Sequence, residues 1–406
     1  MNNRLVLSAW VSYDMGNTLF TTGVVGLVFP LWITGDMGGS DGTLGYLIAA
    51  SMLILFFVAP LIGAISDEFG TRLPFLTVVT LLCLGFTFLI GVYGYVISLL
   101  FFSGAVITSQ LAVILYNGNL EDISSSKDVG RIGGLGVGIG YGGAILAVLI
   151  SLLFLDSRGE IFVFKIMAIS MFLFNLPLLL FGRYKRLNYS NLSFSRIFLN
   201  GISNSIETIK HSGGDSYWIR FLIARFWYFW AANTAATFGI IYAIQTVGLT
   251  KGEVQLVLLV GILCGIPAGL LWGFLVDNIG ASPVLRINVF GWLLLLTLGV
   301  LIPIMDLPGY LWWLVGVMSG IFMAGLYVSE RPFIIQRAEK NKVGQYFAMY
   351  SMVSRCAAIV GPFGWGVVSH TLGLGQTTAA VSLVLCAGIG LLVLMVPSKP
   401  STVARP

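Results

Sequence analysis

"GAISDEFG" (residues 63–70) returns in the second half of the chain as "GFLVDNIG" (residues 273–280). Both read G-x-x-x-D-x-x-G, and each closes an apolar run long enough to cross a bilayer. A second echo lies one run earlier in each half. Asn17, Thr18, Thr21 and Gly23 match Asn233, Thr234, Thr237 and Gly239 with identical internal spacing. Two matches at corresponding places argue for a duplicated half. Duplicated halves around a shared binding site are an architecture of secondary transporters.

The composition agrees with a chain dissolved in lipid. Of 406 residues, 57% are hydrophobic and 10% are charged, and the mean hydropathy is +0.94. A soluble domain carries about a quarter charged residues. A spanning helix takes about 20 apolar residues. Twelve such runs are readable, at 6–33, 43–66, 74–93, 95–119, 131–155, 161–182, 215–246, 251–276, 284–304, 309–335, 343–370 and 375–396. The expected fold is therefore an all-α integral membrane protein of twelve transmembrane helices in two pseudo-symmetric six-helix bundles. The bundles are expected at 1–182 and 215–406, joined by a polar cytoplasmic linker at 183–214. Within that linker "RIFLNGISNSIETIK" suits either a surface amphipathic helix or a disordered segment. The 50 glycines mark close helix packing.

Arginine and lysine concentrate on alternate connections, among them Arg4, Arg72, Arg131, Arg186, Arg286 and Arg337. The opposite side holds little beyond Arg158, Lys165 and Lys251. The positive-inside rule then puts both termini in the cytoplasm, as an even number of spans also requires. Compact loops suit a prokaryotic plasma membrane, a vacuolar membrane being the alternative. The first run is too long for a cleaved signal peptide. The basic residues are too dispersed for a nucleic-acid patch, so no nucleic-acid partner is expected. Cys83, Cys264, Cys356 and Cys386 lie in apolar runs without metal-site spacing, and His211 and His370 form no cluster. No cofactor, metal or enzymatic activity is expected. "GRIGGLGVGIGYGG" (130–143) lacks the strand-loop-helix context of a nucleotide loop, and its glycines suit helix packing instead.

Several charges fall inside the spans. Asp14 lies mid-membrane in the first, a place that costs at least about 2.5–3.5 kcal/mol unless a partner or a wet cavity receives it. Three readings stay open for Asp14. It binds a cationic group of a solute, it carries a coupling proton, or it forms a structural pair with a basic group such as Arg355 of the eleventh span. Arg225 of the seventh span reads as a solute contact or as a snorkelling or packing arginine. Trp230 and Asn233 share a helix face, which suits a cavity wall. With Asn17 they place equivalent polar faces in both halves, around a central cavity lined by spans one, four, seven and ten. Asp67, Arg72 and Asp277 read as parts of a latch at the cytoplasmic ends of the spans. Glu330 and Arg331 read as gate or latch residues near the same side.

At these residues the chain resembles a major facilitator superfamily transporter, with "GAISDEFGTR" similar to the signature between spans two and three. "SAWVSYDMGNTLF" (8–20) and "YNGNLEDIS" (from Tyr116) with the glycine run that follows resemble the autophagy-related vacuolar amino-acid effluxer family and its prokaryotic relatives. "RFLIARFWYFWAANTAATFGIIYA" and "GQYFAMYSMVSRCAAIVGPFGWGVV" resemble that family's seventh and eleventh spans. The resemblance implies the major facilitator fold and places Tyr116 and Asn117 at a solute or proton site. It implies transport of a small polar or zwitterionic solute, an amino acid first, by alternating access with proton coupling as one option. It also implies a monomer surrounded by lipid. Trp230 and Gln345 stand where the family carries acids. Efflux of amphipathic compounds is the rival reading. A transporter-like assembly factor or sensor that moves nothing is another.

Overall fold

In a computed structural model the described residues are 3–68, 72–123, 129–182, 216–338 and 343–396. They form twelve long helices. Helix α1 covers 3–34 and is followed by α2 (Asp41–Glu68), α3 (Leu73–Leu89), α4 (Tyr95–Ile123), α5 (Val129–Arg158) and α6 (Glu160–Phe181). The second set is α7 (Ser216–Gln245), α8 (Lys251–Ile279), α9 (Ala281–Ile304), α10 (Trp312–Arg337), α11 (Val343–Gly366) and α12 (Gly375–Met395). Ten of the helices are long and apolar enough to span a membrane by themselves. Helix α3 has 17 residues and is short by that measure, and α7 is rich in polar groups. The proposed surface helix in the linker lies outside the described residues.

Helices answer the physics of the bilayer, because every backbone N–H and C=O must find its partner within its own segment. The side chains facing away from the bundles include Leu100, Leu153, Leu270, Phe274 and Leu392, all well exposed. A soluble protein would not leave so much apolar surface bare, whereas lipid is its proper solvent. Connections are short. Gly280 takes φ +91, which lets α8 stop and α9 begin without a loop. Helix α8 starts from a capping box, in which Thr250 accepts from the backbone of Glu253 and Glu253 accepts from the backbone of Thr250.

The chain divides into two compact units, Met1–Leu199 and Asn200–Pro406. In the first, α1 packs on α5 and α6, α4 packs on α2 and α3, and α3 reaches α6. In the second, α7 packs on α11 and α12, α10 packs on α8 and α9, and α9 reaches α12. Each neighbour relation in one unit has its counterpart in the other. This is the internal repeat seen at the level of packing.

Glycine makes the tightest seams. A Cβ at Gly320 of α10 would lie 1.9 Å from the carbonyl oxygen of Gly261 on α8. One at Gly143 of α5 would lie 2.1 Å from the Met15 carbonyl oxygen of α1. Close packing is thus the use of the 130–143 glycine run where its side-chain positions are described. The repeated loop motif is different. A Cβ at Gly273 meets nothing within 4 Å, so the first glycine of the second copy does not serve close packing.

Candidate functional site

Asp14 is reached roughly 16 Å along α1 at 1.5 Å per residue. It remains partly exposed. Its Oδ2 rests against Gly140 of α5, where a Cβ would come within 2.5 Å of it, and Thr18 Oγ1 lies 3.3 Å from the same point. Tyr116 of α4 interacts electrostatically with Asp14. Tyr116 is buried in a tier of three rings. Trp10 stacks on it at 4.5 Å and Tyr13 at 5.0 Å. The Tyr116 hydroxyl donates to the Trp10 carbonyl oxygen at 3.1 Å, and Tyr13 shares a 2.7 Å hydrogen bond with Thr80 of α3. The tier therefore ties α1 to α3 and α4 beside the carboxylate.

Just beyond Asp14, Asn17 Oδ1 accepts from Ser109 of α4 at 3.4 Å. The helix then widens to i→i−5 winding over Phe20–Val28 and meets Pro30, which brings no N–H to the ladder. Such π segments interrupt helices frequently at functional sites. Behind this stretch Asn175 of α6 is fully buried against Gly16, and neither its amide nitrogen nor its amide oxygen has a hydrogen-bond partner among the described residues. Asn117, expected beside Tyr116, is exposed.

The second unit holds a different arrangement. Arg225 of α7 and Glu330 of α10 form an ion pair, 2% and 1% exposed. Glu330 Oε1 also accepts from the Tyr228 hydroxyl at 2.7 Å, and Oε2 accepts from the Tyr350 hydroxyl of α11 at 2.6 Å. The other donors of Arg225, Nε and Nη2, reach Ser354 Oγ at 3.1 and 3.0 Å. The guanidinium carbon lies 3.7 Å from the Tyr350 ring centre and 4.6 Å from that of Phe229. A buried carboxylate needs donors on both oxygens, and this one has them. Arg225 does not snorkel: it is held inside by Glu330. Glu330 is not at an exposed gate, while its sequence neighbour Arg331 is exposed. Tyr228, Tyr350 and Ser354 were missed from sequence. Their signal is only the chemical one, that two buried charges must collect hydroxyls.

Arg355, next to Ser354 on α11, is half-buried and has no hydrogen bond or ion pair among the described residues. Its proposed pairing with Asp14 would join residues of different units and stays a proposal. Asn233 is partly exposed. Trp230 lies along α11, where Cβ atoms at Gly361 and Gly364 would come within 3.0 and 3.1 Å of its indole. It stacks on Trp227 at 5.6 Å, so one face of the expected cavity wall is spent on packing. Of the latch residues, Arg72 precedes α3 and is partly buried, and Asp277 is exposed in the last turn of α8. Asp67 belongs to the end of α2, and its side chain lies outside the described residues, as does that of Gln345.

Comparison with known proteins follows the same lines. The family model described as Major Facilitator Superfamily matches residues 221–406. The chain is similar to the uncharacterized MFS-type transporter YxiO of Bacillus subtilis (strain 168), 22% identical over 97% of this chain and 95% of that one. Among solved structures it is similar to the nucleoside transporter NupG, with a TM-score of 0.73 and 12% identity over 96% of this chain and 99% of that one. It is also similar to a D-xylose-proton symporter, with a TM-score of 0.73 and 14% identity over 97% of each chain. The chain is an integral, multi-pass membrane protein with the major facilitator fold, and from residue 221 onward its sequence matches the Major Facilitator Superfamily.

Proposed function

We propose that the chain is a secondary transporter, and not an enzyme, that moves a small polar or zwitterionic organic solute by alternating access. An amino acid is the first choice. Asp14 receives the cationic group or the coupling proton, and Arg355 is a separate candidate for solute contact in the second unit. The observation that carries this reading is a division among the charges deepest in the helices. Arg225 and Glu330 neutralise each other out of contact with any solvent, whereas Asp14 and Arg355 keep part of their surface open. A mid-membrane charge that keeps an opening is a functional group by default. The similarity to YxiO and to the nucleoside and sugar carriers supports transport of a small solute. Latch roles for Asp67, Arg72 and Asp277 belong to the same proposal.

The test is counterflow. Purified protein in liposomes preloaded with an unlabelled amino-acid mixture should take up the radiolabelled mixture. Asp14→Asn and Arg355→Gln should each weaken exchange by about tenfold or more, the equivalent of one lost contact of about 1.4 kcal/mol. If Asp14→Asn loses pH-gradient-driven accumulation and keeps counterflow, Asp14 carries the proton. If both variants exchange at the wild-type rate, the reading is wrong. Binding of the mixture with no flux would place the chain among transporter-like sensors.

A further inference from the structure

We propose that Gly140 is a positioning residue for Asp14: the absence of a side chain there makes the space in which the carboxylate rests beside the Thr18 hydroxyl, and so sets where the negative charge of α1 points. The proposal rests on the reading of Asp14 as the working group, and it adds a residue on another helix that controls it.

Three glycines of α5 meet α1 within one turn, and they do different things. Gly143 brings backbone to backbone, since a Cβ would fall 2.1 Å from the Met15 carbonyl oxygen and 3.1 Å from the Leu19 nitrogen. Gly142 meets only the Met15 methyl, at 3.2 Å. That methyl ends a flexible side chain that can give way. Gly140 meets the carboxylate: its Cβ would lie 2.5 Å from Asp14 Oδ2 and 3.4 Å from Asp14 Cγ. Asp14 and Thr18 are one turn apart on the same face of α1, and Thr18 Oγ1 lies 3.3 Å from the same point. The hydroxyl therefore closes one side of this space and the α5 backbone closes the other. Aspartate has only two side-chain dihedrals. A methyl at residue 140 cannot be avoided by bending a distal group, and the charge itself must turn away.

The experiment reads Asp14 without needing a solute. Detergent-solubilised protein is treated with dicyclohexylcarbodiimide, which modifies carboxyl groups in apolar surroundings, and the modification rate of Asp14 is followed by mass spectrometry. Gly140→Ala should change that rate several-fold and leave the rate at Glu330 unchanged. Gly142→Ala should leave both as in the wild type. An unchanged rate at Asp14 in Gly140→Ala overturns the proposal, as does an equal change in Gly142→Ala. Should Gly140→Ala fail to fold, the double variant Asp14→Ala/Gly140→Ala decides. Removing the carboxylate restores folding if the carboxylate is what the methyl strikes, and failure to restore it overturns the proposal. Counterflow separates the two claims. If Asp14→Asn transports normally, the functional reading falls, while the carbodiimide result still judges the positioning role.

Discussion

At the scale of single residues, the buried pair of Arg225 and Glu330 and the hydroxyls around it tie α7, α10 and α11 together. Glu330→Gln should leave Arg225 buried without its counter-ion and cost about 3–5 kcal/mol, visible as a lower thermal midpoint in detergent. Replacing both, as Arg225→Met with Glu330→Leu, should recover most of that loss, because two apolar side chains need no solvation. Tyr350→Phe removes one donor to a charged acceptor and should cost about 1.5–3 kcal/mol. Equal midpoints for Glu330→Gln and the double variant would deny the pair this role. Asp14 stands in contrast. Its replacement by Asn should disturb exchange far more than stability, since part of its surface stays exposed.

At the scale of elements, close approach of backbones decides which glycines matter. Gly320→Ala would thrust a methyl into the Gly261 carbonyl and should destabilise by about 1–3 kcal/mol as the α8–α10 seam is forced apart. Gly273→Ala, within the repeated motif, has open space. It should stay within about 1 kcal/mol of wild type, on the stabilising side, because alanine is the better helix former. Thermal unfolding of the two variants side by side checks both, and an equal loss would contradict the seam. These outcomes are not readable from the motif, in which Gly273 repeats Gly63 in sequence and yet faces open space.

At the scale of the whole molecule, twelve spans and the bias of basic residues imply a definite orientation. In intact cells, a membrane-impermeant maleimide should label Asp36→Cys and Lys251→Cys, placed after α1 and at the start of α8. It should leave Arg72→Cys and Asp277→Cys unlabelled until the membrane is opened. The reverse pattern would invert the topology. The apolar spans and the duplicated halves followed from the sequence alone. Lipid offers no hydrogen bonds, so length, apolarity and charge position along one helix are each a local property. The choice among the buried charges was a tertiary matter. Arg225 and Glu330 are separated by 105 positions, and no periodicity within α7 or α10 links them. Nor does anything in "GIGYGG" tell which glycine faces a carboxylate, which a methyl and which a carbonyl. Those differences arise when two helices are set in register, and a side chain's cost or use in the membrane depends on what the neighbouring helix puts opposite it.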